Sequence, residues 1–167
     1  MREANAKALG LPYVHLLSAI ERHNAHAEDA IQHRGGWTVD IHELYEMAGI
    51  TPDQLSFVQS YDDYPVISVM QLEDLGLCKK GEAAAFVRAN TFTYDGTCPH
   101  NTSGGQLSVG QAGCAGGFIG LVEAIRQLTG TALGGQVKDA KYGIVSGFGM
   151  ITYDRGLASA AAIMGRA

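Results

Sequence analysis

The run Asn101-Thr102-Ser103-Gly104-Gly105-Gln106-Leu107-Ser108-Val109-Gly110-Gln111-Ala112-Gly113 decides how the rest of this sequence is read. Paired glycines, amides and hydroxyls lead from it into Phe118, Leu121, Val122, Ile125 and Leu128, apolar residues at helical spacing, and Gly130 terminates the helix. A Gly-rich turn that opens a helix presents backbone N–H groups, which suit an oxyanion or a thioester carbonyl. Glycine is also the compositional outlier, at 22 of 167 residues against about 7 % in ordinary proteins. With four prolines and clear apolar periodicity through the same stretch, this is not a low-complexity linker. Tight turns and close backbone approach are the first reading of the glycines, and loose loops the second.

Outward from this run the segments alternate in type. Downstream, Tyr142 to Met150 and Leu157 to Met164 read as two closing strands joined at Tyr153-Asp154-Arg155-Gly156. Upstream, Tyr13 to Ile20 is apolar and strand-like, with burial expected on both faces. Residues 22–37 read as a loop. Asp40 with Glu43 forms a capping-box-like start, Ile41, Leu44, Tyr45 and Ala48 follow at helical spacing, and Gly49 stops the helix. Thr51-Pro52-Asp53-Gln54 is a second helix start, and Leu55 to Ser60 a short strand. Pro65 opens a helix with Val66, Val69, Met70 and Leu77 on one face, and residues 81–88 hold one or two further turns. Residues 2–9 read as the last turns of a helix stopped at Gly10; only Met1 starts it, so the chain is expected to begin inside something larger. The order β-α-β-α-α-β-β predicts one layered α/β domain over residues 1–167, with a mixed sheet ending in an antiparallel hairpin.

Composition removes several classes of function. Apolar residues make up 46 % and charged residues 17 %, which is globular, and a net charge of −5 argues against a nucleic-acid partner. No apolar run approaches the ~18 residues of a membrane span. The N-terminal MREANAKALG has no signal-peptide core. Cys78, Cys98 and Cys114 are odd in number and widely spaced, which excludes a disulfide framework or a CxxC zinc knuckle and fits a cytoplasmic, reducing compartment.

No P-loop, GxGxxG turn or GxSxG elbow is present. His23-x-x-His26 with Glu28, Asp29 and His33 is a weak metal candidate beside the plainer reading of solvated loop histidines, and no metal site is assigned. Gln59-Ser60-Tyr61-Asp62-Asp63-Tyr64-Pro65 sets phenols and carboxylates between the end of a strand and the start of a helix, a usual place for α/β sites. It reads equally as a cap, with Asp63 or Tyr64 capping and Pro65 in the first turn.

The run from Asn101 resembles the C-terminal active-site segment of thiolases, where Asn-x-x-Gly-Gly-x-x-x-x-Gly-His-Pro-x-Gly leads into a long helix. Tyr61-Asp62-Asp63-Tyr64, followed by Gln71-Leu72-Glu73-Asp74-Leu75-Gly76-Leu77-Cys78-Lys79-Lys80-Gly81-Glu82, is similar to the His-Asp-Cys-Phe … Glu-x-Leu-Gly-Leu-Cys … Gly-Glu stretch of the sterol-carrier-protein-type thiolases. Residues 143–165 resemble their final strand pair. The resemblance covers nearly the whole chain and maps it onto the C-terminal half of the two-half αβαβα fold, without the half that bears the nucleophilic cysteine.

The resemblance implies acyl-CoA chemistry, either Claisen-type acyl transfer or retro-aldol cleavage, with the coenzyme A thioester as substrate and no further cofactor. Three departures bear on it. Gln111 stands where thiolases carry the histidine base, and glutamine takes no proton. Tyr61 stands where Asn or His helps hold the oxyanion; the aldolases of steroid side-chain degradation are similar in placing Tyr there, but carry a second Tyr where this chain has Gln111. No cysteine lies near Ser146-Gly147-Phe148-Gly149, and Cys114 reads as a packing residue at a helix start. By resemblance, Tyr61, Gln111 and Asn101 are the catalytic candidates, with Tyr61 as acid/base or oxyanion donor. Asp62, Gly104, Gly105, Ser146, Gly147 and Gly149 are expected to line the substrate pocket. The implied partners are an N-terminal thiolase half or a full-length thiolase chain, and a zinc-ribbon/OB-fold protein, in a homo- or hetero-oligomer. The competing reading is a non-catalytic structural or interaction subunit of the same fold.

Overall fold

Gly10, Gly49 and Gly130 take left-handed backbone, at φ 62°, 68° and 71°, and each lies just past the end of a helix. They follow α1 (Glu3–Ala8), α2 (Trp37–Ala48) and α6 (Phe118–Thr129) in a computed structural model that describes residues 1–111, 113–152 and 155–167. Between these helices lie β1 (Val14–His23), β2 (Phe57–Gln59), α3 (Pro65–Asp74), α4 (Ala83–Ala89) and α5 (Gly105–Val109); β3 (Tyr142–Ile151) and β4 (Gly156–Arg166) close the chain. The turn expected at residues 153–156 falls partly outside the described residues, as does the side chain of Cys114.

The four strands form one mixed sheet in the order β1-β4-β3-β2. β4 runs antiparallel to both β1 and β3, whereas β2 and β3 are parallel, and His100 adds one parallel bridge to Val58. Side chains alternate across a strand. On β3, Ile144 and Phe148 therefore join the core under α2, with Trp37, Leu44, Leu75 and Ile163, while Val145 joins the core under α6, with Phe57, Ala124, Leu128 and Met164. Trp37 is fully buried, stacks on Phe148 at 5.6 Å and donates its indole N–H to Ala160 O at 2.8 Å.

Five expectations need correction. β1 is an edge strand and is not buried on both faces: Leu16 is 67 % exposed. α2 starts at Trp37, a turn before the expected capping box, and Asp40 pairs with Arg22 at 2.5 Å instead. Thr51 and Gln54 do form a capping box, but on a single 3-10 turn (Pro52–Gln54). The buried face of α3 is Ser68, Gln71, Leu72 and Asp74, and Val66 and Val69 are exposed. α6 is a helix as read, but it buries Glu123, Ala124, Gln127 and Leu128 and leaves Phe118, Val122 and Ile125 outward.

Candidate active site

β2 ends at Gln59, and the chain leaves the sheet through Ser60 and Tyr61 before Pro65 begins α3. The exit is held by an amide. Gln71 is fully buried on α3; its Nε2 donates to Tyr61 O at 2.7 Å and to Ile67 O at 3.0 Å, and its Oε1 accepts Tyr61 N–H at 3.2 Å. Ser146 Oγ donates to the same Oε1 at 2.6 Å, tying β3 to this point. Tyr61 is fixed at both its backbone groups, and its ring lies 6.3 Å from that of Phe148.

The Gly-rich run folds against this exit. Asn101, at φ 45°, accepts Ser60 N–H on its side-chain Oδ1 at 2.8 Å. Asp62 is buried, and its Oδ1 accepts Gln106 N–H at 2.7 Å. Gly105 sits at φ 63°, where a Cβ would come within 2.0 Å of Asp62 Oδ2. Only glycine combines that backbone with that approach. The run then brings Gln111 to the phenol, and Gln111 Nε2 donates to Tyr61 Oη at 3.0 Å. Tyr61 Oη in turn reaches Asp63 Oδ2 at 3.4 Å. Burial pushes the Tyr61 phenol above its ordinary value, and the Asp63 charge pushes it further the same way.

Gln111 thus reaches Tyr61 directly, whereas Asn101 and Gly105 meet the flanking Ser60 and Asp62, and Gly104 N–H bonds back to Asn101 O. Of the other expected pocket residues, Asp62 and Ser146 turn their side chains to bonds within the chain. Asp62 is turned inward, where it holds the start of α5. Ser146 is buried beneath α3, on the opposite face of the sheet from Gly147, because successive strand residues alternate. The space beside Gly147 and Gly149 is open.

Two residues at the site carried no role in the sequence reading. One is Gln71, whose buried position no periodicity marks as functional. The other is His100, whose Nε2 meets Ser60 Oγ at 2.7 Å and Ser68 Oγ at 3.4 Å. Burial lowers the His100 pKa to about 4, so the ring is neutral near pH 7. The loop histidines are dispersed: His23 contacts Glu21 at 2.5 Å and His26 contacts Thr38 Oγ1 at 2.8 Å. Among the described residues no three His, Cys, Asp or Glu converge as metal ligands, and no helix is long and apolar enough to cross a membrane.

Comparison with known proteins places this geometry. The benzoylsuccinyl-CoA thiolase subunit BbsB of Thauera aromatica is 34% identical over 97 residues, 58% of this chain and 25% of that protein. The 17-hydroxy-3-oxo-4-pregnene-20-carboxyl-CoA lyase of Mycobacterium tuberculosis is 38% identical over 91 residues, 54% of this chain and 23% of that protein. The chain thus spans about a quarter of the length of these curated relatives. The solved structure of an Ltp2-ChsH2(DUF35) aldolase superposes with a TM-score of 0.78 at 26% identity, over 93% of this chain and 40% of that one. The model of the thiolase C-terminal domain-like family matches residues 19–165, which include all of β2 and β3, the second half of β1, all but the last residue of β4 and the whole Tyr61–Gln111 site; the chain belongs to that family.

Proposed function

We propose that this chain is the C-terminal half of a thiolase-fold enzyme that cleaves carbon–carbon bonds in acyl-CoA thioesters, by retro-aldol chemistry rather than Claisen-type acyl transfer. The observation that carries the reading is the Tyr61 phenol, held at 3.0 Å by a glutamine that cannot titrate. Thiolytic acyl transfer needs a nucleophile with a base in reach, and Gln111 cannot be that base. A retro-aldol step needs a proton donor and acceptor at the β-oxygen and polar groups at the thioester carbonyl, and a phenol with adjacent amides suits both tasks. The substrate class is a β-hydroxyacyl-CoA, the class that the name of the mycobacterial lyase describes, with its hydroxyl one carbon beyond the thioester α-carbon.

The other half of the fold has a place to dock. Phe118, Leu121, Val145, Gly147, Ala160 and Ala162 line an open hollow of about 460 Å³ on the α6 side of the sheet. Phe118 is 62 % exposed at its rim, and such apolar exposure marks an interface. A thiolase N-terminal half is the occupant in this reading, within a homo- or hetero-oligomer, and a zinc-ribbon/OB-fold subunit is the second partner proposed. The test is purification of the native complex and incubation with 3-hydroxy-3-methylbutanoyl-CoA, a tertiary β-hydroxyacyl thioester. Release of acetone and acetyl-CoA, slowed about 100-fold or more by Tyr61→Phe, supports the reading. Equal rates with and without the Tyr61 hydroxyl favour the non-catalytic subunit.

A further inference from the structure

Asp63 holds one carboxylate oxygen without a partner. Its Oδ1 is buried and accepts no hydrogen bond among the described residues, while its Oδ2 faces the Tyr61 hydroxyl at 3.4 Å. The adjacent carboxylate is committed elsewhere, since Asp62 Oδ1 takes Gln106 N–H at 2.7 Å and packs against Gly105. Gln111, the other group on the phenol, donates without titrating. Asp63 is therefore the one ionisable side chain hydrogen-bonded to Tyr61 Oη among the described residues. Burial and the Asp63 charge both keep that phenol protonated, so Tyr61 acting alone is a donor and not a base.

Resting on the retro-aldol reading, we propose that Asp63 is the proton acceptor of this site, receiving through Tyr61 the hydroxyl proton of a β-hydroxyacyl thioester. The substrate hydroxyl gives its proton to Tyr61 Oη as the phenol proton passes to Asp63 Oδ2. The bond between the α- and β-carbons breaks, the β-carbon becomes a ketone or aldehyde carbonyl, and the electron pair moves into the thioester enolate. The proton then returns from Asp63 through Tyr61 to the α-carbon. One proton makes a closed circuit, and no oxidant or other co-reactant is needed.

Two measurements test this. In the full chain carrying ¹³Cζ-tyrosine, with Tyr61→Phe assigning the resonance, Asp63→Asn lowers the Tyr61 titration midpoint, since the carboxylate charge is removed. An unchanged midpoint overturns the proposal whatever the activity. In the native complex with 3-hydroxy-3-methylbutanoyl-CoA, Asp63→Asn lowers kcat about 100-fold or more and removes the acidic limb of the pH profile. Asp63→Glu restores part of both. A slow Tyr61→Phe enzyme beside an Asp63→Asn enzyme of wild-type rate and profile overturns the role of Asp63 and leaves the retro-aldol reading standing. No cleavage by the wild-type complex removes that reading, and this step with it. If Asp63→Asn does not fold, Asp63→Ser and Asp63→Glu carry the same comparison.

Discussion

Replacing Gln71 by leucine removes the amide that holds the Tyr61 backbone while nearly preserving side-chain volume. Three groups lose their partner: Tyr61 C=O at 2.7 Å, Tyr61 N–H at 3.2 Å and the Ser146 hydroxyl at 2.6 Å. Ile67 C=O, the fourth, lies inside α3 and keeps its helical bond. Each buried group left unpaired costs roughly 1–3 kcal/mol. The gain from burying an apolar side chain in place of an amide offsets about 1–2 kcal/mol of the sum. The expected net loss is about 4 kcal/mol, with the main damage at the β2 exit and not in the distant core. Urea unfolding followed by fluorescence and circular dichroism reads this as a midpoint lowered by at least about 1 M at unchanged m. Adding Ser146→Ala to Gln71→Leu removes one of the orphaned groups, so the double variant is more stable than additivity predicts. A Gln71→Leu loss below about 1 kcal/mol, or strict additivity with Ser146→Ala, refutes the view that this amide holds the site together.

Gly105→Ala loses more than about 2 kcal/mol, because the left-handed backbone and the Asp62 carboxylate both reject a Cβ; a thermal melt within a few degrees of wild type contradicts this. His100 is depressed to about 4 in the folded chain, against an ordinary 6.5, so the unfolded chain binds its proton first on acidification. Its contribution is full above pH 6.5 and is lost as pH falls towards 4, by up to about 3 kcal/mol, and His100→Leu flattens the pH dependence of the urea midpoint in that window. The isolated chain thiolyses acetoacetyl-CoA no faster than buffer. Light scattering at micromolar concentration gives a dimer or larger assembly rather than 17.7 kDa, and Phe118→Asp weakens that association while leaving folding stability within about 0.5 kcal/mol.

The element order was legible because its punctuation is local. Helix stops at Gly10, Gly49 and Gly130, the capping box at Thr51 and Gln54, and Pro65 at the head of α3 each act within a turn of themselves. The cluster of Tyr61, Asn101 and Gln111 was legible only through family resemblance, since fifty residues of sequence separate Tyr61 from Gln111 and nothing local joins them. The directions of the Ser146 and Asp62 side chains have a different origin. Gly147 lines the hollow on the α6 side while Ser146 points towards α3, because one step along a strand reverses the face, and Asp63 reaches the phenol while its neighbour Asp62 turns to α5. Gln71 and His100 left no local trace, because a polar residue inside a short helix or after a proline looks like surface until its partners are known.

The outward-turned part of the α6 stripe says most about what this domain is built to do. Amphipathicity tells which residues share a stripe, and Phe118, Leu121, Val122, Ile125 and Leu128 do share one; it does not tell whether that stripe meets the chain's own sheet. Here the helix packs with a mixed face. Ala124 and Leu128 touch the core, while Glu123 and Gln127 bury their polar groups against Thr102 and the 135–137 segment. Glu123 Oε1 accepts Thr102 Oγ1 at 2.6 Å and Gln127 Nε2 at 2.8 Å, and Gln127 Oε1 accepts Val137 N–H at 2.8 Å. Buried polar groups tolerate little loss of geometry, so these bonds fix the rotation of α6 about its axis. With the rotation fixed, Phe118, Val122 and Ile125 are held outward. A helix free to turn would bury them. An apolar stripe kept on the surface by a polar network beneath it is a stripe held ready for another surface, and Glu123→Gln with Gln127→Leu tests the point. If the network sets the rotation, the pair weakens association by light scattering more than any single change on the exposed stripe. If association is untouched, the stripe faces outward for reasons of chain connection alone.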